Sequence, residues 1–426
     1  MRYSVDMNGY TARIVDKELR SALETAGAVL IEGPRGCGKT ETGRFHAASE
    51  VLLDTDDNAL MLAGIDPRAV LEGETPRLID EWQLEPRLWN HVRRVVDDRR
   101  SKGQFILTGS ATPSDDELKH SGAARILRMR MRTLSLNESG HSSSQVSLAD
   151  LLTGAEIEPK RNPSSPSIAD LAETACRGGW PAMQELSATQ AQLLLRSYLD
   201  DIVRIDLPKL EEESRRDMSR VRRTLSSLAR HSATEATYTT IAADVGDPGK
   251  PARHETIAEY LTLLERIFVV ERQPSWGPHL RSRDVTRKQP KLHYIDPALA
   301  IAGIRGSPAA LLADLKSFGF IFESLVARDL RIYGQRLEAQ LLHYRDSAGT
   351  EVDEIVSLPD GRWLAAEVKL GTNQIDAAAA SLQAFVGKLD PARTPHPEAL
   401  VVFTTGDYAF TRPDGVKVVP LTMLGP

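Results

Sequence analysis

The sequence predicts an α/β protein that begins with a parallel β-sheet, and three observations lead to this prediction. Short apolar runs alternate with helical patterns through the first third of the chain, as in sheets whose parallel strands are joined by crossover helices. A glycine-rich turn follows the first apolar run, and two consecutive carboxylates, Asp80 and Glu81, end a later one. At 426 residues, the chain is long enough for roughly two to four domains, so other domains are expected after this sheet.

The first apolar run leads into a turn that fits the pattern G-x-x-x-x-G-K-[ST]. Backbone amides in such a turn form a concave cradle for phosphate oxygens at the positive end of the following helix. Lys39 is expected to contact the β- and γ-phosphates, and the Thr40 hydroxyl is expected to ligate Mg²⁺. The residues expected to line the nucleotide are Gly33, Pro34, Arg35, Gly36, Cys37, Gly38, Lys39, Thr40 and Glu41. The sequence therefore predicts a P-loop NTPase sheet with ATP and Mg²⁺ as cofactors.

The acidic pair after the third apolar run is expected to complete this site. Asp80 would hold Mg²⁺, directly or through water, and Glu81 would polarise the water that attacks the γ-phosphate. A fourth run, 104–110, ends in small polar residues. Thr108 or Ser110 would contact the attacking water or the γ-phosphate, although a plain turn at the end of a strand is the alternative.

A fifth apolar run, 126–131, directly follows Arg125. This arginine is a candidate for reaching a γ-phosphate, in its own subunit or in a neighbouring one. The alternative is an ordinary surface arginine. Because ligands bind at the carboxyl ends of parallel strands, the candidate residues at strand ends are expected to face one another.

Three strings in this region together resemble a known family, and they are GPRGCGKT at 33–40, LIDEWQ at 78–83 and ILTGSA at 106–111. They look like the AAA+-type ATPases of prokaryotes that carry an uncharacterised C-terminal domain. The resemblance continues into the C-terminal region through RGGWP at 177–181, YLDDI at 198–202 and PKLHYID at 290–296. Cys37 departs from the usual Thr, Ser or Val, and Trp82 from the usual aliphatic residue, but neither departure removes a catalytic group. An exposed Cys37 thiolate would make the loop sensitive to oxidation.

Composition limits the class of protein. The chain is 41% apolar and 26% charged, which is typical of a soluble globular protein. No run of eighteen apolar residues and no secretory signal is present, so no membrane span is expected and the cytoplasm is the expected location. Two distant cysteines argue against a disulfide framework. The net charge of −6 means that any DNA contact would have to come from a local basic patch.

The middle of the chain divides by composition and periodicity. After an ATPase domain over 1–136, the segment 137–167 is rich in Ser, Pro, Asn and Gly and is predicted to be a flexible insertion. Residues 168–236 form a predicted helical region. Its arginines after residue 214 follow an acidic run at 211–213, and such mixed signs are more typical of a solvated, ion-paired helix face than of a nucleic-acid surface.

Residues 237–300 show two helical patterns and a strand pattern, an order that is similar to a winged-helix module. Its second helix would expose His254, Glu255 and Glu259, a poor match for a phosphate backbone, so a lid or a protein-docking surface is expected rather than a DNA reader. The better candidate for polyanion contact is the basic cluster of Arg281, Arg283, Arg287, Lys288 and Lys291.

Residues 301–426 have the predicted order helix, three strands, helix, strand. Glu367 and Lys369 lie fourteen and sixteen positions after Asp353, which is similar to the site of PD-(D/E)xK nucleases. Asp353 and Glu367, with Glu323 from the first helix, would hold Mg²⁺, and Lys369 would polarise water or steady the scissile phosphate. Val352 stands where the literal pattern has proline. The alternative is a nuclease-like fold that has lost cleavage.

These patterns favour an ATP-hydrolysing nucleotide switch coupled to a C-terminal α/β nuclease-like domain. One alternative is an ATP-gated, Mg²⁺-dependent DNA endonuclease. Another is a nucleotide-sensing scaffold that presents its C-terminal domain to a protein partner. The sequence leaves the number of subunits open, and an oligomer is compatible with it.

Overall fold

A computed structural model describes residues 9–110, 122–207, 217–247, 249–278 and 288–426. Its first sheet has five strands in the order β2-β3-β4-β1-β5, and all neighbouring strands are parallel. The strands are β1 (Ala28–Glu32), β2 (Ser49–Leu52), β3 (Arg77–Asp80), β4 (Phe105–Gly109) and β5 (Ile126–Arg130). The predicted α/β class and the parallel sheet are therefore confirmed.

Helices cover both faces of this sheet, and they are α1 (Val15–Thr25), α2 (Lys39–His46), α3 (Asp57–Ile65) and α4 (Leu88–Arg99). Alternate residues of β1 enter different clusters, because successive side chains of a strand point to opposite faces. Ala28 and Leu30 pack with residues of α4, whereas Val29 and Ile31 pack with residues of α1. Burial on both faces explains why β1 is a continuous apolar run.

The predicted insertion, 137–167, packs against the far end of the chain. It contains β6 (Val146–Ser147), α5 (Leu148–Leu151) and β7 (Lys160–Arg161). Strand β6 pairs with β16 (Leu424–Gly425), and β7 pairs with β14 (Tyr408–Thr411). The prediction of a flexible segment rests on its Ser and Pro content. The sequence does not show that its short strands have partners near residues 408 and 424.

The middle region is helical, as predicted, in the part that the structure describes. Its helices are α6 (Ile168–Arg177), α7 (Ala188–Asp201), α8 (Met218–Arg230), α9 (Tyr238–Val245) and α10 (His254–Arg266), with a π-helical turn over Ile202–Asp206. An antiparallel ribbon of β8 (Val270–Gln273) and β9 (Lys291–Tyr294) follows. The arginines of α8 face acidic side chains: Arg222 lies 3.1 Å from Asp200 and Arg223 lies 3.4 Å from Asp247. Arg215, Arg216 and the acidic run at 211–213 lie outside the described residues.

The C-terminal region follows the predicted order and adds strands to it. Helices α11 (Pro297–Gly303), α12 (Pro308–Ala313) and α13 (Leu315–Gln335) lead into β10 (Gln340–Arg345), β11 (Glu351–Ser357), β12 (Trp363–Val368), α14 (Ile375–Gly387), β13 (Ala399–Thr404), β14 and β15 (Lys417–Pro420). Among the described residues, this sheet has the order β10-β11-β12-β13-β15-β14-β7. None of the described helices has the length and apolar character needed to cross a membrane.

Candidate functional site

The glycine-rich loop joins β1 to α2 with a backbone that its glycines permit. Gly38 has φ 103°, in the left-handed region that favours glycine. A Cβ atom on Gly33 would lie 2.1 Å from the Met131 carbonyl oxygen, so a side chain cannot fit there. The two glycines at the fixed motif positions are therefore required by the fold of the loop itself.

Lys39 is held inside the loop. Its Nζ donates to the carbonyl oxygens of Gly33 and Pro34, each at 3.0 Å, and the residue is buried. An ammonium group has three N–H donors, so these two bonds leave one donor for a ligand.

Thr40 and Asp80 bring the loop and the acidic pair together. The Thr40 hydroxyl donates to Asp80 Oδ1 at 2.9 Å, and the Thr108 hydroxyl donates to the same oxygen from β4. Burial raises the pKa of Asp80, while these two hydrogen bonds act in the opposite direction. The predicted convergence of residues at the carboxyl ends of three strands is thus present.

Glu81 is fixed by its backbone and by its neighbours. Its φ of 52° and ψ of 44° place a residue other than glycine in the left-handed region, a strain that is often found at functional sites. Ser110 Oγ donates to Glu81 Oε1 at 3.1 Å, and the Gln83 amide donates to Oε2. The Glu81 amide in turn donates to Thr108 Oγ1 at 3.4 Å. Thr108 on β4 and Ser110, which directly follows that strand, therefore both contact the acidic pair.

The donor set at this site fits Mg²⁺. A hydroxyl and a carboxylate, from Thr40 and Asp80, are the hard oxygen ligands that this ion takes. Mg²⁺ usually completes its coordination with water and substrate phosphate oxygens rather than with a protein cage. Ligation by these two residues would therefore depend on a bound nucleotide.

Arg125 lies at the opposite edge of the sheet from the loop. Its carbonyl accepts a hydrogen bond from the amide of Ala28, the first residue of β1, and its guanidinium donates to Asp97 Oδ1 at 2.9 Å. The loop begins at the other end of β1, five residues away at about 3.3 Å per residue. The structure does not bring Arg125 to the phosphate loop of its own chain, and a role in a neighbouring subunit remains a prediction.

Two further residues that the sequence reasoning missed contact the loop. Arg13 is buried and its Nη1 donates to the Cys37 carbonyl at 2.9 Å. Trp180 donates from Nε1 to the Arg35 carbonyl at 3.1 Å. The RGGWP string contains Trp180 and could have signalled it, whereas no motif surrounds Arg13. Cys37 is fully buried, so the exposed thiolate on which the predicted oxidation sensitivity depends is absent.

Glu271 on β8 forms an ion-pair cluster between the two sheets. It lies 2.9 Å from Arg132, 3.3 Å from Arg130 and 3.4 Å from Arg331. Burial alone would raise the pKa of Glu271, but the three guanidinium groups lower it to about 2. Arg130 ends β5 and Arg331 belongs to α13, so this carboxylate connects the first sheet to the C-terminal region.

The C-terminal candidate residues also converge. Asp353 and Glu367 lie on the adjacent strands β11 and β12, and Lys369 Nζ lies 3.2 Å from Asp353 Oδ2 and 2.6 Å from Glu367 Oε2. Glu323 faces them from α13 through Lys291, whose Nζ lies 2.7 Å from Glu323 Oε1. An open cavity of about 400 Å³ is lined by Asp353, Glu367 and Lys369.

Burial and neighbouring charges shift the pKa values of the carboxyl groups in this cluster. Burial raises the pKa of Glu323 to about 7 and that of Glu367 to about 8. Burial would also raise the pKa of Asp353, but Lys291 and Lys369 reverse this effect and lower it. Asp353 is therefore the carboxylate that both lysines keep ionised.

The prediction of a basic patch for polyanions is wrong for Lys291. Lys291 is 1% exposed and is paired with carboxylates, so it is not available to a polyanion. Lys288 lies over the Tyr344 ring, with Nζ 5.0 Å from the ring centre. Arg281, Arg283 and Arg287 lie outside the described residues. The error arose because neighbouring cations in a sequence do not show which of them faces the protein interior.

Comparisons with known proteins divide the chain into three matched parts. Residues 25–140 match the family described as "AAA domain". Residues 168–309 and 318–424 match two families described as domains of unknown function, DUF8612 and DUF4143. The last match assigns no chemistry, so the nuclease-like site remains a prediction.

Similar chains come from bacteria and archaea. The uncharacterized proteins Rv2008c of Mycobacterium tuberculosis and Mb2031c of Mycobacterium bovis are each 25% identical over 407 residues, which is 94% of this chain and 82% of theirs. The Walker-type ATPase PABY2304 of Pyrococcus abyssi is 14% identical, with a TM-score of 0.42 over 71% of this chain and 98% of that one. AMPPCP-bound DnaA of Aquifex aeolicus is 13% identical, with a TM-score of 0.27 over 62% of this chain and 91% of that one. The motifs, the parallel sheet and the AAA-domain match together support a P-loop ATPase family for residues 25–140.

Proposed function

We propose that the protein is a Mg²⁺-dependent ATP hydrolase that acts as a nucleotide switch coupled to its C-terminal domain. The observation that supports this most directly is the 2.9 Å hydrogen bond from Thr40 to Asp80. It joins the phosphate loop to the acidic pair, which are the two halves that ATP hydrolysis requires.

Each residue of the site has a proposed task. The loop amides and the remaining donor of Lys39 bind the β- and γ-phosphates. Thr40 and Asp80 would hold Mg²⁺, and that ion would supply positive charge against the negative charge on the phosphates. Glu81 accepts the proton of the attacking water as general base. Thr108 forms hydrogen bonds with the Asp80 carboxylate and with the Glu81 backbone amide, so we assign it a positioning role.

The Glu271 cluster supports the proposed coupling. Arg128 on β5 lies 2.9 Å from Glu32, the last residue of β1 before the phosphate loop. Arg130, two residues along the same strand, binds Glu271, which also binds Arg331 of α13. A displacement of the loop on nucleotide binding would therefore be transmitted to α13 through strand β5 and the Glu271 carboxylate.

The regions between the two sites have proposed roles as well. The predicted domains 1–136, 137–167, 168–236, 237–300 and 301–426 remain our proposed division. Helix α10 exposes Glu255 and Glu259, and acidic side chains disfavour a phosphate backbone. We therefore propose that the 237–300 module contacts a protein partner or the nucleotide domain.

Lys39→Ala tests the nucleotide site. Its affinity for a fluorescent ATP analogue is expected to fall on the order of 10- to 100-fold, because a hydrogen bond to a charged group contributes about 1.5–3 kcal/mol. Titration of the purified protein by fluorescence measures the change. Lys17→Ala, an exposed lysine on α1, is the matched control and should bind normally. Unchanged affinity in Lys39→Ala would mean that the phosphate loop is not the nucleotide site.

A further inference from the structure

We propose that Lys291 is the resident cation of the carboxylate cluster around Asp353, so that this centre holds an ammonium group where a metal-dependent nuclease would hold a divalent ion. This inference goes beyond the proposed ATPase function and is independent of it. It concerns the atoms of the C-terminal cluster and the strand that delivers Lys291 to them.

Three carboxylates from two elements surround the Lys291 ammonium. Its Nζ lies 2.7 Å from Glu323 Oε1 on α13, 3.4 Å from Glu351 Oε1 and 3.6 Å from Asp353 Oδ1 on β11. The residue is 1% exposed, so water contributes little to its solvation. The three carboxylates and the Lys291 ammonium group therefore neutralise one another's charge.

The remaining oxygen of Asp353 is also occupied. Asp353 Oδ2 accepts from the Val368 amide at 2.8 Å and from Lys369 Nζ at 3.2 Å. Each oxygen of the central carboxylate therefore already faces a cationic group. Among the described residues, no group of three or more His, Cys, Asp or Glu side chains is arranged to hold a metal ion. The donor set does not fit Mg²⁺ in this arrangement.

The backbone around Lys291 resists its withdrawal. Strand β9 pairs with β8, and Lys291 lies opposite Gln273. Two residues later on β9, the His293 ring forms hydrogen bonds with Gln273 Oε1 at 2.8 Å and with Ser324 Oγ at 3.1 Å. Admitting a divalent cation would place two positive charges beside a buried ammonium or would leave that ammonium without a partner. Removing one partner of a buried ion pair is strongly destabilising.

The C-terminal centre therefore has the Asp353, Glu367 and Lys369 arrangement of a nuclease site, with an ammonium group in place of the metal. Lys369 and the two carboxylates are close enough for the predicted chemistry, but the Asp353 oxygens that would ligate the metal already face Lys291, Lys369 and the Val368 amide. We therefore expect the ATP-gated endonuclease alternative to fail at this step, whatever the fate of ATP in the first domain.

Mn²⁺ binding to the full-length chain tests the proposal. All variants carry Asp80→Asn, so that the phosphate-loop site contributes no metal binding, and the free ion is measured by electron paramagnetic resonance without nucleotide. The parent is expected to bind no Mn²⁺ through its C-terminal cluster. Lys291→Met, which keeps the chain length and removes the charge, is expected to gain one bound ion. Lys291→Arg, the charge-preserving control, is expected to gain none.

Two results would overturn the proposal. One is Mn²⁺ binding by the parent that disappears when Asp353→Asn is added. The other is a Lys291→Met variant that has the parent's circular dichroism spectrum and still gains no ion. If Lys291→Met does not fold, the comparison of the parent with Asp353→Asn still decides the question. Because every chain in the test already lacks Asp80, its outcome does not depend on whether the proposed ATPase function is correct.

Discussion

Glu81→Gln is expected to lower ATP turnover by about 10²–10⁴-fold while ATP affinity stays within a few-fold of the parent. The amide cannot accept the proton of the attacking water, but it has the same shape and can still contact Ser110 and Gln83. Phosphate release under saturating ATP measures turnover, and analogue titration measures affinity. A loss in turnover without a loss in binding is the signature of a group that acts in the transition state.

The matched control for this variant is Glu85→Gln. Glu85 lies four residues further on and pairs with the exposed Arg87, so its substitution should leave turnover unchanged. Equal turnover in Glu81→Gln and the parent would remove Glu81 as general base. Absence of turnover in the parent itself, with ATP still bound, would favour the nucleotide-sensing scaffold instead.

Glu271→Gln is expected to lower the free energy of unfolding by about 3–5 kcal/mol, the usual cost of breaking a buried ion pair by removing one partner. Three guanidinium groups, from Arg130, Arg132 and Arg331, would face one another without their shared carboxylate. Urea unfolding monitored by circular dichroism measures the change. Glu259→Gln, an exposed position on α10, is the control and should change stability little.

A Glu271→Gln variant as stable as the parent would show that the cluster contributes no net stabilisation. The same variant also tests coupling, because it removes the carboxylate that joins β5 to α13. If ATP changes the protease sensitivity of the C-terminal domain in the parent and also in Glu271→Gln, the proposed route through Glu271 is wrong.

The stabilisation from Glu271 should disappear in acid. Its pKa is lowered from the ordinary 4.5 to about 2 in the folded chain, so the unfolded chain binds more protons between these values. The contribution is therefore fully present above pH 4.5 and is lost as the pH falls toward 2. The difference in unfolding free energy between the parent and Glu271→Gln should be constant above pH 4.5 and should shrink below it. A difference that grows on acidification would contradict the assigned direction.

The nucleotide site could be predicted from sequence because its motifs determine local backbone geometry. A glycine-rich turn after an apolar strand has few alternatives, and the residue types of Lys39, Thr40, Asp80 and Glu81 define their chemistry at short range. The sequence predicts a contact from Thr108 to the nucleotide or water, and the structure shows a hydrogen bond from its hydroxyl to Asp80. Arg125 does not reach the loop of its own chain, because it lies beside the first residue of β1 and the loop follows the last one.

The features that sequence reasoning missed are buried charges whose partners are distant in the chain. The sequence places Lys291 close to several arginines, yet its partners in the fold are Glu323, Glu351 and Asp353. Glu271 lies in an ordinary strand pattern, and two of its partners, Arg130 at the end of β5 and Arg132 just after it, are about 140 residues away. No spacing rule connects such residues, so only the folded chain shows that they form clusters.

The pairing of β6 with β16 has a consequence for biosynthesis. Val146 pairs with Leu424 in the folded protein, so this pair cannot form until Leu424 has left the ribosome, long after Val146 has done so. The first parallel sheet needs only residues up to 130 and can assemble early, since domains generally fold as units from the N-terminus during synthesis. Throughout that interval β6 lacks its partner strand, and a chaperone would be most useful there.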